Sequence, residues 1–446
     1  MILLVGIAIF PLLLVYIYCL SRSVLFGWIS LLAVLFYDFS FGATIYVIGG
    51  LNITVVDIVE ICLLVAGIAR TIPRLSERST GRRIAIAYLF FFAFSLARGI
   101  AAHGTSHAGN GSRIFVGFLI ALLYFLTAPV DSHSVRMYIR AYLYYGLGLV
   151  LVACLAYGGL DVGAVAWEHH DPVRELMNQG RLLPGACALT LAFCFFYSLA
   201  ESQYKKCTIV QKWLPAVFLG LAIFLRTRTV WIVLAAGSAP FLFVDRKLLR
   251  RLVPIASIAI FIILGYGLIS GIAVKMVESQ LAESAANKQT WLFRIAMWQS
   301  LLGGTQTVSG TLFGKDLGGG YRVFNLRFRH FVNIPPHNEY VAQYLSVGIV
   351  GVALLLWFTI RPLKRFWKLS STDMQVVEPS ASAWVAVIIG IIAFSIPYQP
   401  MADAYGLLAI ANAMVFRLDN EAREKQQESS ALVVEPGFQD GQLHGL

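Results

Sequence analysis

The chain has 446 residues, of which 58% are hydrophobic and 13% are charged, and its mean hydropathy is +0.73. So much apolar surface excludes a single soluble domain, because the chain needs lipid as its solvent. The net charge of +11 does not indicate nucleic-acid binding, since the basic residues are spread over short segments between apolar runs and act there as topology signals. Because the alternating pattern of a membrane barrel is also absent, the sequence predicts an all-α polytopic membrane protein.

Apolar runs of about twenty residues, the length that crosses a bilayer, follow one another along the chain. They predict about 12–14 transmembrane helices. The runs lie at 1–20, 24–50, 53–69, 84–102, 113–130, 137–159, 182–200, 210–225, 228–244, 252–274, 339–360, 383–397 and 401–416. Asp38 and Gly42 interrupt the run at 24–50, which therefore predicts either one long span or two short ones.

The longest polar segment divides the chain into parts. We predict a transmembrane bundle over 1–274, a partly helical loop over 275–338, C-terminal transmembrane helices over 339–416 and a disordered tail over 417–446. The loop opens with an amphipathic stretch that is expected to lie along the membrane surface. Its centre is rich in glycine, which favours a turn or an open loop. As the one long polar insertion between spans, this loop is where we expect chemistry.

Basic residues cluster in alternate segments between the predicted spans. The clusters contain Arg70, Arg74, Arg78, Arg82 and Arg83; Arg136 and Arg140; Lys205, Lys206 and Lys212; Arg246, Lys247, Arg250 and Arg251; and Arg361, Lys364, Arg365 and Lys368. By the positive-inside rule these segments are cytoplasmic, as is the C-terminus. The segments at 103–112, 160–181, 226–228, 275–338 and 398–400 then lie together on the other side. In a bacterium, the protein is expected in the inner membrane with its main loop in the periplasm.

Three short motifs follow one another across the long loop. They are Arg294-Ile-Ala-Met-Trp298, then Leu312-Phe313-Gly314 with further glycines, and then Pro336-His337-Asn338-Glu339-Tyr340 at the start of an apolar helix. This order resembles the O-antigen ligase and polymerase superfamily, in which an R-x-x-x-W, a short F-G-x-G-type turn and an H-N-x-[YF] helix start cross a large periplasmic loop. The Arg226-Thr227-Arg228 turn resembles the family's serine–arginine turn, with threonine in place of serine, and 53–58 resembles its early aspartate-bearing helix.

The resemblance implies a membrane glycosyltransferase of the GT-C type. Such an enzyme moves a glycan from an undecaprenyl-pyrophosphate carrier onto an acceptor hydroxyl at the periplasmic face, without a nucleotide sugar. Inverting displacement at an anomeric carbon needs a base for the acceptor proton and cationic groups for the leaving pyrophosphate. We expect no cofactor, and because the loops contain no D-x-D pair, the sequence does not require a bound metal.

The candidate site residues follow from these two chemical needs. An imidazole titrates near neutrality, which suits His337 to the role of catalytic base. Guanidinium groups are always charged and forked for phosphate oxygens. The candidate pyrophosphate ligands are Arg228, Arg226, Arg294 and Arg181, and the further candidate substrate contacts are Asn338, Trp298, Tyr340, Arg322, Arg327, Arg329 and Asp403.

Several of these residues have structural alternatives. Asn338 or His337 itself would cap the helix that starts behind two prolines, and for Asn338 the cap is the favoured interpretation. Arg294 and Trp298, four residues apart on a helix, would stack as a cation on a ring. The arginines at 322–329 form either a basic wall for the substrate or a solvated face of the loop. Asp57 and Glu60, one helical turn apart inside a predicted span, form either a polar contact between helices or a proton-coupling pair.

The sequence leaves the acceptor, and hence the exact activity, open. A ligase transfers the glycan to lipid A core, whereas a polymerase joins repeat units on the same carrier; one dominant loop favours the ligase. A transporter of lipid-linked sugars would show repeated halves, broken helices and charges at the membrane midplane, and only Asp57 and Glu60 fit that description. A non-enzymatic assembly partner would tolerate replacement of the arginines on the loop side.

Overall fold

The computed structural model describes residues 2–42, 46–48, 51–71, 80–163, 183–202, 208–225, 227–244, 292, 294–303, 307–325, 330–333, 336–371 and 381–433. The first half contains helices α1 (Ile2–Arg22), α2 (Val24–Phe41), α3 (Val55–Thr71), α4 (Thr80–Leu123), α5 (Ser132–Tyr157), α6 (Gly185–Glu201), α7 (Ile209–Phe224) and α8 (Arg228–Val244). The second half contains α9 (294–303), α10 (Val308–Phe313), α11 (Glu339–Ser371), α12 (Ala381–Ser395) and α13 (Ala402–Val433).

The described helices confirm the predicted helical class and suit insertion into a membrane. Four are long and apolar enough to cross a bilayer, over Val24–Phe41, Arg83–Thr127, Ser132–Tyr157 and Glu339–Ser370. Shorter apolar helices cover Phe10–Arg22, Gly185–Glu201, Gln211–Phe224 and Ala381–Ser395. The predicted span at 252–274 lies outside the described residues.

A core of aromatic side chains holds the helices together. The Trp28 ring on α2 is fully buried, stacks on Tyr142 of α5 at a centroid distance of 5.9 Å and meets Phe125 edge-on at 5.3 Å. Its indole N–H donates to the Tyr138 carbonyl at 3.0 Å, so the ring is both packed and satisfied. Three helical segments distant in sequence are thereby joined at one point.

Two predictions about the first spans are wrong. The run at 24–50 forms a single helix that ends at Phe41, and β1 (Tyr46–Ile48) then pairs antiparallel with β2 (Leu51–Ile53). Gly42 has φ 79° and its N–H donates to the Asp38 carbonyl at 3.0 Å, so the glycine closes the helix in a conformation with little cost for a residue without Cβ. The predicted spans at 84–102 and 113–130 fall on two arms of α4 that fold back on each other at Gly104, because Tyr88 meets Phe118 at 4.8 Å and Phe92 meets Phe115 at 6.0 Å. The predicted loop between them is helical from 105 to 112.

The predicted disorder of the tail is wrong for 417–433, because α13 continues to Val433. The Asp419 carboxylate accepts a hydrogen bond from Arg361 of α11 at 2.7 Å, and Arg417 pairs with Glu421 one turn away at 2.7 Å. These contacts extend the helix beyond its apolar part. Residues 434–446 lie outside the described residues.

The centre of the long loop packs against a kink in α11. Gly348 has φ 75°, which interrupts the helical hydrogen bonds and frees carbonyl groups that need other partners. The Leu345 carbonyl accepts the Lys315 N–H at 2.5 Å, and the Ser346 carbonyl accepts the Ser95 hydroxyl at 2.6 Å. The glycine-rich segment is therefore a packed turn, not an open loop.

Replacing Gly348 by alanine is expected to destabilise the protein. The added Cβ would overlap the Leu312 carbonyl, and an alanine at positive φ carries backbone strain, so we expect a loss of about 1–3 kcal/mol in the free energy of unfolding. Thermal unfolding in detergent would show this as a lower midpoint. Gly220→Ala is the matched control, because nothing lies within 4 Å of its Cβ position. Equal midpoints for the two variants would contradict the prediction.

Candidate functional site

Helix α9 connects the His337 loop to the turn between α12 and α13. The Trp298 indole N–H donates to the Pro336 carbonyl at 2.6 Å. One helical turn earlier, Arg294 Nη1 donates to the Pro397 carbonyl at 3.4 Å. Met297 and Leu301 are buried with Leu345 of α11 on the apolar side of α9. The R-x-x-x-W motif thus places its two polar side chains beside two different loops.

His337 is held in an unusual backbone conformation. Its φ is 46°, and within the described residues it is the one non-glycine residue at positive φ. Histidine tolerates this region better than most residues, but the conformation persists only where its surroundings impose it. The next residue, Asn338, accepts the Val341 N–H on its side-chain oxygen at 2.9 Å and so caps α11, as predicted. The positive φ and the cap together define the backbone at the start of α11.

The Tyr398 ring brings the imidazole and a guanidinium group together. Its centroid is 6.3 Å from that of the His337 ring and 5.1 Å from the Arg294 guanidinium carbon. Arg294 therefore stacks on Tyr398, which replaces the predicted stacking on Trp298. The neighbouring Gln399 has a buried Nε2 without a hydrogen-bond partner in the described structure. Sequence reasoning noted this turn but did not assign Tyr398 to the site.

The surroundings of His337 favour a neutral imidazole. Burial lowers the pKa of His337 below its usual value, and the nearby Arg294 charge lowers it further. Both causes act against the imidazolium form. A neutral imidazole at physiological pH has a lone pair with which it can accept a proton. The geometry thus supports the role of a base.

Arg228 stands at the same end of the bundle as this cluster. A Cβ on Gly237 of α8 would lie 3.0 Å from the Ala386 carbonyl oxygen of α12, and one on Gly390 would lie 2.9 Å from Val233 Cγ1. Val233 lies beside Gly390 and Gly237 lies beside Ala386, so residue numbers increase along α8 where they decrease along α12. The two helices are therefore antiparallel. The first residue of α8, Arg228, is consequently level with the last residue of α12, two residues before Pro397.

The turn at 314–318 is fastened to α4 by polar contacts. The Arg98 Nη2 donates to the Gly314 carbonyl at 2.9 Å, and its Nε lies 3.1 Å from the Asp316 carboxylate. The Lys315 ammonium donates to the Leu301 carbonyl at 3.3 Å. Because one side chain of α4 binds the turn twice, the loop that carries the three motifs has a rigid support. No sequence signal marked Ser95 or Arg98 for this task.

Glu339 anchors the start of α11. Its carboxylate is buried with only 1% exposed and accepts the Gln343 amide at 2.8 Å. The Gln343 carbonyl in turn accepts the Tyr88 hydroxyl of α4 at 2.7 Å. A buried carboxylate needs such partners. The motif gave Glu339 no role of its own; its place directly after the cap is the sequence signal that it faces the protein interior.

Asp403 does not join the cluster around His337. Its carboxylate accepts the Tyr142 hydroxyl and the Thr190 hydroxyl, each at 3.0 Å, and it is buried in the bundle. The predicted substrate contact by Asp403 is therefore replaced by a contact between α5, α6 and α13. Tyr340 is half-buried on the first turn of α11, with its hydroxyl next to Ser395.

Some predicted residues are not placed. Outside the described residues lie Arg181, Arg226, Arg327 and Arg329. Arg322 lies on β3 (Arg322–Asn325), which pairs antiparallel with β4 (His330–Asn333), and its partner in the register is Asn333. Only the backbone of this hairpin is described.

One of the two acidic residues of α3, Asp57, lies in a contact between helices. The Asp57 carboxylate accepts both Nε and Nη2 of Arg113 on α4, at 2.9 and 2.6 Å, and also the Thr54 N–H at 2.6 Å. A fork of this kind is strong and directional. The polar contact between helices, the first of the two predicted alternatives for Asp57, is what the structure contains.

Comparison with known proteins adds no relative. The sequence matches no protein-family model, and no curated protein matches it. The likeness to the O-antigen ligase and polymerase superfamily stays a prediction from the order of the sequence motifs.

Proposed function

We propose that this chain is an inner-membrane glycosyltransferase that moves a glycan from undecaprenyl pyrophosphate to an acceptor hydroxyl. The observation that carries the proposal is the half-buried His337, held at positive φ beside the Arg294 cation. A base and a fixed cation near one another are what glycosyl transfer from a pyrophosphate carrier needs. On the predicted topology, both face the periplasm.

The glycosyl transfer needs no reactant other than the carrier-linked glycan and the acceptor. The His337 imidazole takes the proton of the acceptor hydroxyl while the acceptor oxygen attacks the anomeric carbon. The bond from that carbon to the pyrophosphate oxygen breaks, and its electron pair leaves with the carrier. Arg294 and Arg228 bind the leaving group, whose negative charge rises as the bond breaks. One displacement of this kind inverts the configuration at the anomeric carbon.

The acceptor is proposed to be lipid A core, which makes the enzyme an O-antigen ligase. The support is the single long loop between the bundle and α11, on which all three motifs occur. A polymerase would instead take a second carrier-linked glycan as acceptor.

The deciding experiment is transfer by the purified full chain in nanodiscs. A carrier-linked glycan is supplied with lipid A core, and the product is identified by its mass. Glycan on lipid A core supports the ligase, and longer glycans on the carrier identify a polymerase. If neither product forms with substrates that a known ligase uses, the proposal fails, and binding of the same lipid for transport becomes the next test.

The pH dependence of transfer is expected to report the charge of Arg294. In the wild-type protein, burial and Arg294 lower the pKa of His337, so the base stays neutral and active below its usual titration range. Arg294→Gln removes the repulsion of the imidazolium, so the pKa rises and the acidic limb of kcat/KM moves to higher pH. Arg294→Lys keeps the charge and is expected to keep the limb in place. An unmoved limb in Arg294→Gln would refute this coupling.

A further inference from the structure

A basic cavity lies at the opposite end of α11 from His337. It has a volume of about 550 Å³ and lies between α11 and α13. Four basic side chains and one carboxylate line it, together with apolar groups; the lining residues are Trp357, Ile360, Arg361, Lys364, Arg365, Lys368, Val415 and Asp419. Arg361, Lys364 and Arg365 carry three positive charges against the one negative charge of Asp419, so the cavity favours an anion.

The aromatic groups and Asp419 hold the arginines in place. The Arg361 guanidinium carbon lies 3.9 Å from the Phe416 ring centroid and 5.1 Å from that of Trp357. Its Nη2 donates to Asp419 at 2.7 Å, and Arg365 Nε lies 3.6 Å from the same carboxylate. One carboxylate is thus shared by two arginines. The two guanidinium groups are therefore held in place, and the one carboxylate neutralises only part of their positive charge.

A buried donor is left over in this cluster. Within the described part of the chain, Nη1 of Arg361 is buried and has no hydrogen-bond partner. Buried polar atoms are nearly always paired, and a guanidinium N–H suits a phosphate oxygen. That atom is enclosed by the protein, so an anion in the cavity would meet Lys364, Arg365 and the other donors of Arg361, which line it.

The position of the cavity selects the kind of ligand. The cluster Arg361, Lys364, Arg365 and Lys368 is one of those that the positive-inside rule assigns to the cytoplasmic side. On that predicted topology, the cavity lies at the cytoplasmic surface of the membrane. Trp357 and Ile360 line the same cavity, and a tryptophan is typical of the membrane interface. An anion with an apolar tail fits both parts of the site.

We infer that this cavity binds the headgroup of an anionic phospholipid, with the phosphate on Arg361, Lys364 and Arg365 and an acyl chain along Ile360 and Trp357. Basic pockets between transmembrane helices bind such headgroups through charge and hydrogen bonds. The inference is independent of glycan transfer. It concerns the membrane face opposite to His337.

The test counts the lipids that stay on the purified full chain. The protein is taken from nanodiscs of phosphatidylglycerol and phosphatidylcholine in equal parts and examined by native mass spectrometry. In Lys364→Gln/Arg365→Gln, retention of phosphatidylglycerol is expected to fall on the order of tenfold. Arg136→Gln/Lys212→Gln is the matched control, because it removes the same charge from exposed positions elsewhere. Thermal unfolding of each variant establishes that it is folded.

Two results would overturn the inference. Equal retention of phosphatidylcholine by the wild-type protein would mean that the site does not select an anion. Equal losses in the two double variants would mean that the general surface charge, not this cavity, binds the lipid. A separate arm adds inorganic phosphate: if it displaces phosphatidylglycerol and binds alone, the site binds phosphate and the assignment to a lipid is wrong. Unchanged lipid retention in phosphate supports the lipid.

Discussion

His337→Asn is expected to lower the rate of glycan transfer by about 10²- to 10⁴-fold, the range for loss of a general base. Asparagine is chosen because it tolerates positive φ, and His337 has φ 46°. The backbone of the loop is thereby kept while the imidazole is removed. An alanine at this position would add backbone strain, so its effect would mix folding with chemistry. The rate is measured as released carrier pyrophosphate.

The control for this variant is His133→Asn. His133 lies on the first turn of α5, where its backbone N–H is bound by Asp131, and its side chain is exposed. We expect transfer at the wild-type rate. If His337→Asn also transfers at the wild-type rate, His337 is not the base, and a different group must take the acceptor proton. Equal thermal midpoints for both variants would show that a loss of rate is chemical.

Arg228→Gln is expected to lower transfer by about 10²- to 10³-fold, the cost of removing one fixed donor to a developing charge. The antiparallel packing of α8 on α12 places Arg228 level with the turn that carries Tyr398, the ring on which Arg294 stacks. On the predicted topology, Arg228 begins a helix on the side where the positive-inside rule disfavours basic residues.

Arg228→Lys separates charge from shape. A lysine keeps the positive charge but loses the forked donor, so we expect an intermediate rate. Arg136→Gln is the control, since it removes an arginine whose Nε binds the Ser132 carbonyl on the exposed side of α5. The binding of a carrier-linked glycan to each variant is measured alongside the rate. Wild-type binding and rate in Arg228→Gln would remove Arg228 from the site.

The local pattern of the sequence predicted most of the helices and the main site motifs. The length of the apolar runs alone located α3, α5 and α6 to within a few residues. A helix in lipid must form all its backbone hydrogen bonds within itself and present apolar side chains to the lipid. The cap at Asn338 followed from the residue type and the prolines before it. These are properties that neighbours along the chain decide.

The tertiary structure decided what lies around those motifs. The Tyr398 ring meets His337 and Arg294 across distant parts of the chain, and Asp403 pairs with Tyr142 and Thr190 away from that cluster. Glycine is needed at the kink at position 348 because the Leu312 carbonyl of α10 occupies the place that a Cβ would take. Such contacts join residues far apart in sequence, and hydrophobic pattern carries no record of which helix packs on which. The sequence by itself therefore determined the class, the helices and the motif residues, while packing alone determined their partners.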